Sequence, residues 1–129
     1  MSLAALAVVS ERMLLRDLAT LAEARRETLA AEREIVALRN LADREKAALS
    51  SGATPEAFRA VGQWQEATER RLRALRTRLA EIAAAEETAR ASAFQAFGRD
   101  RAVSLLRARE KAAIATKMRA RAERDGLPV

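Results

Sequence analysis

The side chains best suited to chemistry are few and poorly placed for it. Ser50 and Ser51 could act as nucleophiles only beside a base that takes their protons, and the chain has no histidine. It has no cysteine either, which excludes thiol nucleophiles, disulfides and Cys/His zinc sites. Glu86 and Glu87 are adjacent carboxylates. Neighbours on a helix point in different directions, so they do not form an acid–base pair and read as solvated surface. Gly52, Gly62, Gly98 and Gly126 are scattered and build no phosphate-cradling loop. This inventory predicts no catalytic residue, no metal, no cofactor and no small-molecule substrate, and the chain reads as a non-enzyme.

The basic residues carry more information. Lys and Arg number 24 against 18 Asp and Glu, a net charge of +6. Residues 1–54 hold eight basic and eight acidic side chains, residues 55–98 seven and six, and residues 99–125 nine and four. Nearly all the excess therefore lies near the C-terminal end, where Arg107, Arg109, Lys111, Lys117, Arg119 and Arg121 are concentrated. Positive charge suits the last turn of a helix, but the dipole effect fades within that turn. It does not account for the rest of the segment. An anionic partner is expected, either an acidic protein surface or nucleic acid. No aromatic residue falls among these charges to stack on bases, and acidic residues interrupt them, which favours protein.

Trp64, Phe94, Phe97 and Leu105 are the second group of candidates. They lie off the heptad lines described below. Phe94 and Leu105 are eleven residues apart, about three helical turns, so they share a face. Two readings stand. One is a stutter near Gly98 that moves the apolar stripe sideways toward Leu106 and Ile114. The other is an exposed docking or homodimer face.

The elements that must position these residues are helices. Half of the 129 residues are apolar, yet 32 are alanine and only four are aromatic. Such a composition favours helices lying close together over a thick core. One segment, Ser50 to Pro55, interrupts the helical pattern. Gly52 can end a helix in the left-handed region. Thr54 can cap the next helix, and Pro55 suits its first turn.

Before this break, Leu14, Leu21, Thr28, Ile35, Ala42 and Leu49 recur every seven residues, with Leu18, Ala24, Ala31 and Leu38 between them. After it, Val61, Thr68, Leu75, Ile82, Ala89, Ala96 and Val103 form one line. Phe58, Leu72, Leu79 and Ala93 form the other, with Gln65 and Glu86 as polar exceptions. Lines three and four residues apart make a coiled-coil seam. The spacing predicts an all-α, antiparallel two-helix coiled-coil hairpin in a single domain. Helix one covers about 3–49, the turn 50–55, and a longer helix two about 56–125, ended by Gly126 and Pro128. About twenty C-terminal residues, the basic ones, would overhang helix one. On the outer faces, Glu66 to Arg70 and Glu69 to Arg73 are spaced for ion pairs.

No apolar run reaches the ~18 residues needed to cross a bilayer. The short apolar start, residues 1–9, lacks a basic leader and reads as helix. A cytoplasmic protein without membrane insertion is expected.

The layout resembles the FliJ/YscO group, the small central-stalk proteins of flagellar and type III secretion export machinery. The local likeness runs from Ala93 to Lys111: an alanine/aromatic step at Ala93, Phe94 and Phe97, basic residues, the Leu105–Leu106 pair and the charged Arg109-Glu110-Lys111 stretch. The resemblance implies a stalk similar to the rotary shaft of F-type ATPases, peripheral to an inner-membrane export apparatus. Arg107, Arg109, Lys111, Lys117, Arg119 and Arg121 would face a hexameric export ATPase. Leu38, Leu41, Phe58, Val61 and Trp64, near the turn, would face a membrane export-gate protein.

Overall fold

The computed structural model describes residues 2–49, 52 and 54–126. Two α-helices make up the fold: α1 (Leu3–Leu49) and α2 (Pro55–Arg124). They pack side by side as an antiparallel, all-α two-helix coiled-coil hairpin.

Both helix starts are capped by the residue before them. The Ser2 hydroxyl accepts the Ala5 N–H at 3.1 Å, and the Thr54 hydroxyl accepts the Ala57 N–H at 3.2 Å. Each cap satisfies a backbone donor that has no partner within the first turn. Gly52 lies in the left-handed region, with φ +102°. That is the backbone freedom expected at the end of α1. The other residues of the expected turn, Ser50, Ser51 and Ala53, fall outside the described residues. Gly126 has φ +70°, and its N–H reaches the Glu123 carbonyl at 3.2 Å. It closes α2 as expected, while Pro128 lies outside the described residues.

The chain divides into two compact units. The turn unit is Leu21–Ala89. Its core is Ile35, Leu72 and Leu75, with Leu38 and Leu79 packed against it. Ala31 and Ala89 are also buried here, as are the polar side chains of Thr68 and Glu86. Cross-helix bonds from Thr28 to Glu86 and from Arg71 to Glu34 fix the antiparallel sense in this unit.

The terminal unit is Met1–Thr20 with Arg90–Val129. Its buried residues are Ala93, Ala96, Val103 and Ser10. Ser10 donates to Asp100 across the seam at 3.0 Å, sharing its hydroxyl hydrogen with the Ala7 carbonyl at 3.1 Å.

Most buried and half-buried positions in both units follow alternating steps of three and four. In α1 they include Leu3, Ala7, Ser10, Leu14 and Asp17, then Leu21, Ala24, Thr28, Ala31 and Ile35. Leu18, expected on this face, is 46% exposed, and Asp17 holds the seam place instead. One residue of displacement turns a side chain by about 100°, enough to move it out of a narrow seam. In α2 the line from Val61 to Val103 is as expected, and the second line continues past Ala93 to the half-buried Asp100. The expected Glu66–Arg70 and Glu69–Arg73 pairs are not among the ion pairs of the described residues; Arg71 instead reaches Glu34 of α1 at 2.8 Å. Exposed i,i+4 pairs are worth only a few tenths of a kcal/mol, too little to hold two long side chains in one place.

Candidate partner-binding surfaces

The basic segment lies on α2 of the terminal unit. Val103 is the last buried residue on this helix, and every residue from Ser104 to Arg121 is exposed. Arg107, Arg109, Lys111, Lys117, Arg119 and Arg121 are therefore all open to solvent, and none of them is in an ion pair among the described residues. Arg107, Glu110, Lys111 and Ile114 share a groove with Ser2, Leu3 and Ala4 at the start of α1. The helix places charge on every side, because the basic residues are spread over its whole circumference.

Phe94, Phe97 and Leu105 fall on the solvent side of α2, while Trp64 is half-buried. Phe94 is 78% exposed, Phe97 55% and Leu105 53%. No stutter explains them. Ala93, Ala96, Asp100 and Val103 keep the three-and-four spacing through this stretch, and Leu106 and Ile114, the residues to which a shifted seam would turn, are themselves 47% and 51% exposed. The seam runs past these residues unshifted and leaves them exposed to solvent.

Near the turn, the five candidates separate. Leu41, Val61 and Trp64 line one shallow groove together with Glu45 and Ala60. Phe58 stands apart from it and is 64% exposed. Leu38 packs against Ile35, Leu72 and Leu75, so its contribution is to the seam and not to a surface.

Of the two places the sequence allows Glu86, solvated surface beside Glu87 and a polar exception on the seam, the structure shows the seam. Glu86 is buried, at 7% exposure, while Glu87 is exposed. Thr28 donates to Glu86 Oε2 at 2.8 Å and Arg25 donates to Oε1 at 3.2 Å. A carboxylate tolerates such a place only when charge-assisted hydrogen bonds replace its water. Its heptad position was visible in the sequence, but the partners that satisfy it come from the other helix. Gln65, also on the seam, has a buried Nε2 without a hydrogen-bond partner in the structure.

Among the described residues no cluster of acidic side chains is arranged to hold a metal ion, and no helix is long and apolar enough to cross a membrane. The geometry offers surfaces: a basic helix end, an exposed aromatic face and a small apolar groove near the turn. No family model, no curated protein and no solved structure matches this chain.

Proposed function

We propose that this chain is a non-enzymatic stalk and interaction component of a bacterial type III protein export apparatus, flagellar or injectisome. In this reading its basic α2 segment engages a hexameric export ATPase. The apolar residues near the turn, Leu41, Val61 and Trp64 with the exposed Phe58, engage a membrane export-gate protein.

One observation carries most of the weight: the excess positive charge lies where α2 has no buried residue. Residues 99–125 hold nine basic and four acidic side chains, and Ser104 to Arg121 are exposed throughout. A segment that is exposed throughout and makes no ion pair among the described residues is well placed to meet an acidic partner surface. Such attraction speeds encounter and weakens with salt. ATP hydrolysis would belong to the partner.

The test is ATP turnover by a candidate hexameric export ATPase with and without this protein. Stimulation together with co-elution is expected. Replacing Arg107, Lys111, Lys117 and Arg121 by glutamate should remove at least about tenfold in apparent affinity, a loss of ~1.4 kcal/mol or more from the four contacts in concert. Neither stimulation nor co-elution would end this reading. The rival is an electrostatic clamp on nucleic acid, favoured by the same charge. Micromolar binding to duplex or single strands that collapses steeply with salt would support the rival instead.

A further inference from the structure

Carried beyond Val103 at the same spacing, the two seam lines of α2 read Arg107, Ile114, Arg121 and Glu110, Lys117, Arg124. Met118 stands one turn after Ile114 on the same side, and Lys111 stands one turn before Ile114, two turns before Met118. Ile114 is 51% exposed and Met118 67%. This stretch therefore continues the stripe that α1 packs against elsewhere, with an apolar pair ringed by basic side chains.

We propose that this stripe is a docking site for an acidic amphipathic helix of a partner protein. The incoming helix packs its apolar positions on Ile114 and Met118. Its carboxylates meet Arg107, Lys111, Lys117 and Arg121. The inference rests on reading the basic segment as protein-binding, but not on which protein binds there.

Two observations select this occupant. First, the positions are continuous with the α1–α2 interface, whose spacing accepts helical knobs. Second, the charge around the apolar pair is almost all positive, with Glu110 the exception. A second copy of the chain fits poorly, because a two-fold pairing of this face would set basic side chains against basic side chains. A nucleic-acid backbone would leave the apolar pair unused and would meet the Glu110 carboxylate.

The probe is a fluorescently labelled synthetic peptide of about three heptads, with leucine at the seam positions and glutamate beside them. Its control is a scrambled peptide of equal composition. Both are titrated by fluorescence anisotropy into the full chain at two salt concentrations. The patterned peptide should bind at least about tenfold more tightly than the scrambled one, a difference of ~1.4 kcal/mol. Ile114→Asp should abolish that advantage. Leu105→Asp, nine residues earlier and about half a turn away in direction, should leave it intact. Equal binding of the two peptides, or an Ile114→Asp variant that keeps the preference, overturns the proposal. So does an Ile114-dependent dimer in sedimentation, which would make a second copy the occupant. Equal binding of the two peptides by a chain that still co-elutes with the ATPase would refute the helix dock while leaving the function proposed above in place.

Discussion

The turn unit and the terminal unit share one packing geometry but fill it differently. Between Leu21 and Ala89 the seam is closed by Ile35, Leu72 and Leu75, backed by Leu38 and Leu79. In the terminal unit the same positions hold Ala93, Ala96 and Val103, and a hydroxyl–carboxylate bond between Ser10 and Asp100. Burying a branched aliphatic side chain contributes about 1.5–3 kcal/mol, and an alanine far less. The turn unit is thus held by side-chain packing. The terminal unit depends more on helix propensity and on close approach of small residues.

The distribution of exposed apolar residues follows the same division. Among the described residues, fifteen large apolar side chains face solvent: eleven belong to the terminal unit and four, Leu29, Val36, Leu41 and Phe58, to the turn unit. The unit with the thinner internal seam also offers the most apolar surface and the most positive charge. The aliphatic residues that hold the helices together are thus concentrated in the turn unit, and the exposed apolar and basic residues in the terminal unit.

The comparison breaks most readily at Leu75, which is 3% exposed. Leu75→Ala should cost about 3 kcal/mol, from lost transfer energy and the cavity left behind. Denaturant unfolding followed by circular dichroism measures it. A loss below about 1 kcal/mol would mean that the turn unit does not depend on its aliphatic core. Next in size is Glu86→Ala, expected to cost about 2 kcal/mol by removing the charged acceptor of Thr28 and Arg25. The double change Glu86→Leu with Thr28→Val should recover most of that loss, because an apolar pair suits the seam as well as a buried charge does. The smallest effect is expected in the terminal unit. Ser10→Ala should cost about 1 kcal/mol, and a double-mutant cycle with Asp100→Ala should show coupling between the two. Hydrogen exchange sharpens all three: amides of α1 around Ile35 should exchange more slowly than those around Ala7.

Much of this was legible in the residues. The bounds of α1, the Thr54 cap and the line from Val61 to Val103 follow from local rules, since capping and a 3.5-residue repeat are properties of one helix. Leu18 shows where hydrophobicity misleads. It is the more apolar neighbour of Asp17, yet the count of threes and fours passes through Asp17. Polar residues at Ser10, Asp17 and Asp100 hid that count. A stutter at Gly98 is suggested only by Phe94, Phe97 and Leu105, which lie off the lines because they face solvent, while Ala93, Ala96 and Val103 carry the seam through unshifted.

By itself, the order of residues determined two helices, their caps, the break near Gly52 and the concentration of positive charge beyond Val103. All of these depend on neighbours within a turn or on simple counting. Tertiary structure alone decided what satisfies the polar side chains that enter the seam. Ser10 needs Asp100, and Glu86 needs Thr28 and Arg25, pairings between residues far apart in the chain. A buried polar group is acceptable only when its partner is in place, and the partner is chosen by how the helices align.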